Sequence, residues 1–470
     1  MFSWVQIFDL ITMLSKINFQ KVKLESPFEG DREKIRSSEC AVPLAFSRSD
    51  RYFLNWNIYW VKGAKNSVIH DFNLNILYWL NHDTTLFLAA ILSERCVIPN
   101  AANDIIATFV RAGIITNDRK NSSSGNIEAI LPVHQKIKTC YIEITQRCNL
   151  KCIHCYNAQA NNLSQTLSLD DLIKIVDDVK DYGIDKIRLI GGEPLLIDTL
   201  VLTKFLDYAS PRFKNIRIFT NGTKINDELG GIISRYTNVD FSIALYSTIE
   251  YEHDRFTGIK GSQEKTLNAI NILKTHKIPV MCTGIIADKL DVGDIKELGC
   301  DYRLDYVRLA GRGSLRLYNE ALLRRRLKTL ESLNYEWSRR NVIDLYNSRC
   351  FSRIIYISST LDVYPCAMER RLKHGNLKDG NLSEILNESI LNYSKNNIEG
   401  CKDCEFRYVC FVCPPDSLTG RLNDKPWNCT YDVHRGRWLE IEGYIKSIVE
   451  QAHVNNHTVP FAGGCKSGIV

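Results

Sequence analysis

The placement of cysteine constrains this chain more than any other feature. Of its sixteen cysteines, three lie in one short string, Cys148, Cys152 and Cys155. Seven more follow far downstream: Cys350, Cys366, Cys401, Cys404, Cys410, Cys413 and Cys429. Such density in a small secreted domain would mean disulfides, but in a 470-residue chain without an export signal, reduced thiolates that ligate metal fit better. Cys40, Cys96, Cys140, Cys282, Cys300 and Cys465 stand alone and read as structural.

A chain of this length exceeds what one hydrophobic core usually serves, so two or three domains are expected. The net charge of +6 is spread out, apart from one dense run, Arg324 to Arg326 and Lys328, inside a helical-looking stretch. A solvated helix face is the better reading of that run, so no nucleic-acid partner is expected. No apolar run reaches the ~18 residues of a membrane span. Met1 to Ile17 is apolar but carries Asp9 and lacks a basic start, so it reads as an amphipathic helix packed on the body, with a membrane-surface role as the lesser alternative. Together these features point to the cytoplasm.

Between the two cysteine groups, β-branched runs alternate with amphipathic ones, the pattern of βα units on a parallel sheet. Six strands are expected, at Tyr141–Thr145, Lys186–Ile190, Ile216–Thr220, Asp240–Leu245, Val280–Ile286 and Tyr306–Leu309. Helices fit at Leu169–Tyr182, Thr199–Tyr208, Asp227–Tyr236, Gln263–Thr275 and Val292–Leu298, the first announced by Ser168 with Asp171 three positions on. The fold class is therefore α/β, a partial (β/α)6 TIM-like barrel, in which reactive groups lie at the carboxyl ends of strands. Cys148 follows the first strand.

Three thiolates within one loop suit an iron-sulfur cluster, which favours all-thiolate ligation, and leave a fourth iron open. Zinc is the rival, but it usually takes four ligands, and His154 is awkwardly placed to be the fourth. The string CxxxCxxC after the first strand of a parallel barrel resembles the radical S-adenosylmethionine (SAM) superfamily, with Tyr156 as the aromatic after the third cysteine. Gly191-Gly192-Glu193-Pro194 at the end of the second strand is similar to that family's GGEP element, which implies that Glu193 meets the methionine ammonium while the glycines permit close backbone approach. Thr220-Asn221-Gly222 resembles the family's TNG, with Thr220 near the cofactor. Ala244 stands where many relatives have serine and Thr257 where they have arginine; Ser242, Ser247 and Arg255 are the substitutes to consider.

Cys401-x2-Cys404-x5-Cys410-x2-Cys413, with Cys350, Cys366 and Cys429, resembles the seven-cysteine SPASM domain of peptide-modifying radical enzymes. Its final spacing of two replaces the common three, and Leu361 replaces a glycine. A structural zinc double site is the alternative reading. The resemblance implies two auxiliary [4Fe-4S] clusters, three in all: an inner one on Cys350, Cys366 and Cys413, with a fourth position open or filled by another ligand, and an outer one on Cys401, Cys404, Cys410 and Cys429.

Upstream, Phe53–Ile69 reads as a hairpin about Gly63, followed by short helices at Asn73–Leu80, Asp83–Leu92 and Ala102–Ala112. This stretch resembles the winged-helix-like module with which peptide maturases capture a leader by strand addition. A DNA-binding winged helix is the rival, but Ala102–Ala112 has a single arginine. The string Trp60 to Asp71, taken with Cys401 to Cys410, looks like the maturases of grasp-with-spasm systems. The expected domains are an N-terminal extension (1–52), a leader-recognition module (53–130), the radical SAM barrel (138–312), a helical linker (313–348, with a long helix at Tyr318–Arg340), the SPASM domain (349–434) and a C-terminal helix and tail (435–470, helix at Arg435–Ala452).

What the family resemblance implies is one-electron cleavage of SAM to a 5'-deoxyadenosyl radical. This would abstract hydrogen from a ribosomally made precursor peptide and form a thioether, carbon-carbon or ether crosslink. It also implies a leader-bearing precursor and an electron donor such as flavodoxin or ferredoxin as partners. A sulfatase-type maturase forming formylglycine is the enzymatic alternative and needs a catalytic carboxylate, for which Asp301 and Asp305 are the candidates. A non-catalytic zinc or iron-sulfur peptide-binding protein is the alternative of another class. Gly463-Gly464-Cys465 reads as part of a loose tail.

Overall fold

The computed structural model describes residues 19–22, 51–93, 103–127, 137–157, 165–333, 349–411, 413, 416–418 and 420–454. The expectations for Met1–Ile17, residues 334–340 and the tail lie outside these residues, as do Cys40, Cys96 and Cys465.

The amino-terminal unit is a four-stranded antiparallel sheet. β1 (Phe19–Val22) lies beside β5 (Ile76–Leu80), then β4 (Ser67–Asp71) and β3 (Ile58–Lys62). A short pair, β2 (Phe53–Leu54) with β6 (Ile115–Thr116), closes the unit. The hairpin turns at Gly63 as expected, and helices His82–Leu92 and Asn103–Arg111 follow. Asn73–Leu80 is not a helix. Asp71 Oδ1 accepts from the amides of Asn73 and Leu74 (2.9 and 3.0 Å), Asn75 turns left-handed at φ 55°, and the chain returns as β5. The alternation of Ile-Leu-Tyr-Trp-Leu explains it: Tyr78 and Leu80 pack toward the helices with Phe87, Leu88 and Phe109, while Leu77 and Trp79 pack on the opposite face.

The main sheet has nine strands in the order β12-β11-β10-β9-β8-β7-β13-β14-β15. Its first six in sequence, β7 (Thr139–Thr145), β8 (Lys186–Gly191), β9 (Asn215–Thr220), β10 (Val239–Ala244), β11 (Val280–Ile286) and β12 (Asp301–Tyr306), are all parallel. Helices Leu169–Asp181, Thr199–Ala209, Asp227–Ile233 and Ser262–Thr275 bury their apolar stripes against it. Ser168 and Asp171 form the expected capping box. The sheet stays open. Beyond β7 it continues with β13 (Ile354–Ile357), parallel, then β14 (Asp362–Tyr364) and β15 (Gly375–Asn376), antiparallel, all from the second cysteine region.

Four elements depart furthest from the sequence reading. The sixth strand begins earlier, at Asp301, because it is a charged, exposed edge rather than an apolar run. The expected helix Val292–Leu298 is one 3₁₀ turn, Ile295–Leu298. Within the described part of the long helix expected at Tyr318–Arg340, the α-helix is Glu320–Arg326: the backbone leaves helical pairing when Lys328 N donates to Asn428 O at 2.7 Å. The last helix begins at Ile441, since Arg437–Trp438 (β17) is drawn into a hairpin with Tyr431–Asp432 (β16).

The β3–β4 hairpin tip is plugged into the second cysteine region. Ala64 N donates to Asp403 O and Arg407 Nη1 to Lys62 O, both at 2.7 Å. The buried Glu405 carboxylate accepts from Trp79 Nε1 at 3.1 Å and from the Tyr431 hydroxyl. A Cβ on Gly63 would sit 2.4 Å from Glu405 Oε2 and 2.9 Å from its amide. Gly63→Val therefore overpacks a joint that also contains backbone. The expected loss is about 1–3 kcal/mol in denaturant unfolding, with faster proteolysis between the module and the rest of the chain; unchanged stability would contradict this joint.

Candidate functional site

The site grows from the meeting of two strand ends. The pairing of β7 with β8 slips by one residue between Glu143 and Thr145, so that Gly191 faces Thr145 and the chain turns into the cysteine loop. Gly191 has φ 152°, and a Cβ there would lie 2.3 Å from Thr145 O; one on Gly192 would lie 2.2 Å from Arg147 O. Gly192 N donates to Thr145 O and Glu193 N to Arg147 O, both at 2.8 Å. The glycines thus let the backbone of one strand end lie on that of the other, directly before Cys148.

Glu193 is buried beneath this contact. Oε1 accepts from the Thr220 hydroxyl (2.6 Å) and Leu195 N (3.0 Å), and Oε2 from Asn221 N (2.8 Å). Burial pushes its carboxyl up and these three donors pull it back. With two acceptor directions per carboxylate oxygen, Oε2 keeps one for an ammonium. Asn221 Nδ2 donates to Asn149 Oδ1 at 2.9 Å, tying the end of β9 to the cysteine loop.

The loop Cys148–Cys155 is also held from two other sides. Lys151 N and Ile153 N donate to Thr257 O (2.8 Å) and Phe256 O (3.1 Å), at the end of helix Glu250–Thr257. Arg312 Nε and N donate to Cys152 O and Cys155 O, both at 2.9 Å, and a Cβ on Gly311 would lie 2.3 Å from Tyr156 O and 2.4 Å from Cys155 O. Burial pushes the Cys148 thiol up to about 11 and that of Cys152 up to about 12, and raises Cys155 too. Charges on Cys148 and Cys155 would repel each other and Cys152, while the Arg312 guanidinium favours all three thiolates. Three half-buried, mutually repelling sulfurs beside one cation suit an added positive group that takes thiolates, which is the donor set of an iron-sulfur cluster. Among the described residues, no three His, Cys, Asp or Glu side chains converge as the ligands of a single ion.

His154 does not join this set. Its ring stacks on Phe256 (centroids 4.8 Å apart) and meets Tyr246 edge-on at 4.9 Å. Burial, then Arg312, lowers its pKa to about 3. Arg255 is also engaged elsewhere, with Glu252 and Lys289 O, and Ser247 caps Ile249 N. Ser242 lies 3.4 Å from Thr283, and Thr257 supplies its backbone carbonyl to Lys151 N.

Tyr156 lies near both Cys155 and Cys366, and near Glu143 and Arg370. Glu143 is fully buried on β7; it accepts from Asn157 Nδ2, Arg370 Nη2 and both the amide and hydroxyl of Ser359. Arg370 also donates to the Tyr356 hydroxyl at 2.6 Å. A buried ion pair with this many donors joins the first cysteine region to the second.

Of the seven downstream cysteines, Cys401, Cys404, Cys410 and Cys429 share one neighbourhood, each of the first three raised by burial and further by Cys429. Buried Lys395 sits among them; burial lowers its pKa to about 8, and Cys410, Cys401 and Cys404 work against that shift. Cys413 lies beside Arg308, which pairs with buried Asp416 at 3.1 Å. Cys350 falls in helix Arg349–Arg353, its side chain outside the described atoms. Asp305 pairs with Arg308 at 3.2 Å and Asp301 is exposed on the β12 edge. Sequence reasoning missed Arg312, Lys395 and the Glu143–Arg370 pair. Gly311-Arg312-Gly313 just after the sixth strand was the available signal for the first; the other two carry none.

Residues 142–298 match the Radical SAM superfamily, and residues 350–405 match SPASM, an iron-sulfur cluster-binding domain. The chain is 31% identical over 169 residues to the antilisterial bacteriocin subtilosin biosynthesis protein AlbA of Bacillus subtilis (strain 168), covering 36% of each. It is 29% identical over 176 residues to the sporulation killing factor maturation protein SkfB of the same organism, covering 37% of this chain and 41% of that one. The match thus spans well under half the length of these curated relatives. In fold, the crystal structure of Streptococcus suis SuiB bound to precursor peptide SuiA aligns with a TM-score of 0.50 at 15% identity, over 79% of this chain and 97% of that one. Among the described residues, no helix is long and apolar enough to cross a membrane.

The neutral His154 carries a testable consequence. Its folded pKa lies below the unfolded value near 6.5, so the unfolded chain takes up the proton first and stability is lost as pH falls through that value. His154→Phe keeps the stacking and removes the proton site. Between pH 7 and pH 5 the variant is expected to lose about 1–2 kcal/mol less than the parent in urea unfolding; equal losses would show that His154 is not held neutral.

Proposed function

We propose that this protein, with its radical SAM and SPASM domains, modifies a ribosomally made precursor peptide through a radical taken from SAM. One observation carries the reading: three mutually interacting thiols on a loop after the first parallel strand, strapped by the Gly191–Glu193 contact and flanked by Arg312. The names of AlbA and SkfB, and the SuiA peptide bound to SuiB, support a peptide as substrate.

In this reading Cys148, Cys152 and Cys155 hold a [4Fe-4S] cluster; with SAM bound, the chemistry supplied is reductive cleavage to a 5'-deoxyadenosyl radical that takes hydrogen from the peptide. The free acceptor direction of Glu193 would accept an N–H from the methionine amino group, with Thr220 and Asn221 fixing the carboxylate. Gly191 and Gly192 set the strand contact that aims it, and Tyr156 fills the wall between the cysteine loop and Cys366. Cys401, Cys404, Cys410 and Cys429 hold an outer auxiliary cluster, and Cys350, Cys366 and Cys413 an inner one, giving three in total. The winged-helix-like module of residues 53–130 captures the leader, residues 138–312 form the radical core as a partial barrel, and residues 349–434 form the auxiliary domain. A flavodoxin or ferredoxin supplies electrons in the cytoplasm. The product is a crosslink, as thioether, carbon-carbon or ether.

Anaerobically reconstituted protein is expected to contain iron and sulfide and to form 5'-deoxyadenosine from SAM with dithionite. Cys152→Ser is expected to abolish that product while leaving the outer auxiliary iron in place. Co-expression with the small peptide encoded beside its gene is expected to yield a peptide lighter by a pair of hydrogens. Zinc without deoxyadenosine would overturn the radical reading in favour of a binding protein. A formylglycine aldehyde in the peptide would overturn the crosslink.

A further inference from the structure

The amino-terminal sheet has two edges, and the chain itself covers both. At the β3 edge the cover is local: Trp60 N donates to Gly125 O at 3.0 Å and the Ser123 hydroxyl to Ile58 O at 2.6 Å. Ser123 N also donates to Leu54 O at 3.0 Å, so this cover is anchored within the module. At the β5 edge the cover comes from far upstream. Phe19–Val22 pairs antiparallel with β5 in the register Phe19↔Leu80, Gln20↔Trp79, Lys21↔Tyr78 and Val22↔Leu77. Residues 23–50 separate this strand from the rest of the module in sequence.

β5 is also the strand that links the module's two faces. Tyr78 and Leu80 pack with the helices, whereas Trp79 reaches Glu405, next to Cys404. Whatever lies along its edge therefore borders both the helical core and the outer cysteine region.

From this arrangement we propose that Phe19–Val22 is a resident strand occupying the edge on which the substrate peptide docks, and that the peptide pairs with β5 by displacing it. The inference rests on the reading of this unit as a peptide-capture module and adds how capture is regulated. Ladder bonds join main chain to main chain, so an edge that accepts one extended segment accepts another, and side chains decide which is preferred. A covalently attached strand competes at an effective concentration on the order of millimolar. It thereby excludes weakly matching peptides and shields an edge otherwise open to pairing between copies of the chain. The described ladder has four residues, Phe19–Val22, a length that a longer peptide strand can match and replace.

The probe is a fluorescent peptide spanning Ser15–Ser26 of this chain, added to the full-length protein. Gln20→Pro combined with Lys21→Pro removes two successive amides, which point to opposite sides of the strand, so one of them faces β5. The double variant is expected to bind the probe at least ~10-fold more tightly than the parent, because the competing strand is gone. Its Leu77–Leu80 amides should exchange faster with deuterium and regain protection when the probe is added. Leu24→Pro, outside the register Phe19–Val22, should behave as the parent. Equal probe affinity in parent and double variant with unchanged exchange, or a Leu24→Pro chain that matches the double variant, would overturn the proposal. Deoxyadenosine formation without peptide, measured on the same samples, reports the radical reading separately: its loss in the parent would leave the strand exchange standing and remove the radical chemistry.

Discussion

Everything at the candidate site depends on two strand ends lying closer than side chains would allow. Gly191 and Gly192 place the end of β8 against Thr145 and Arg147, where any Cβ would collide with a carbonyl oxygen. That contact decides where the cysteine loop leaves the sheet and where the Glu193 carboxylate is buried. Thr220 and Asn221, at the end of the next strand, then fix the carboxylate, and Asn221 reaches back to Asn149 inside the loop. Arg312 and the end of helix Glu250–Thr257 close the remaining sides through the loop's own backbone. The thiols are held by many directional bonds before anything is bound, which reduces the ordering cost of binding.

The second cysteine region is built into the first rather than appended to it. β13 extends the parallel sheet beyond β7, and the buried Glu143–Arg370 pair lies just behind that junction. Removing either partner would leave an uncompensated buried charge, a loss of about 3–5 kcal/mol. On the far side, Glu405 receives Trp79 from the amino-terminal sheet and Tyr431 from the carboxyl-terminal hairpin. The amino-terminal sheet, the second cysteine region and the cysteine loop are thereby connected through packed and hydrogen-bonded groups.

Much of this was legible from residue order because it is local. The six parallel strands follow from β-branched runs, the capping box at Ser168 from two residues, and the cysteine loop and Gly-Gly-Glu-Pro from their own strings. What escaped was decided by tertiary partners. β5 alternates between two cores, which a helical reading of Asn73–Leu80 cannot show. The helix at Glu320 stops because Lys328 finds Asn428, a partner distant in sequence. The role of the glycines also sharpened: sequence suggested room for a ligand, whereas the geometry shows room for a neighbouring strand. His154, whose place between two cysteines already made it an awkward ligand, stacks on Phe256 as an aromatic spacer.

The central claim is that Cys148, Cys152 and Cys155 leave one iron for SAM while Glu193 accepts a hydrogen bond from its amino group. Electron-nuclear double resonance on the reduced, reconstituted protein with SAM labelled in its methionine carboxylate and amino nitrogen tests this directly. The account predicts hyperfine coupling from both labels to the cluster, lost in Cys152→Ser. A reduced cluster whose spectrum does not change when labelled SAM is added would contradict it.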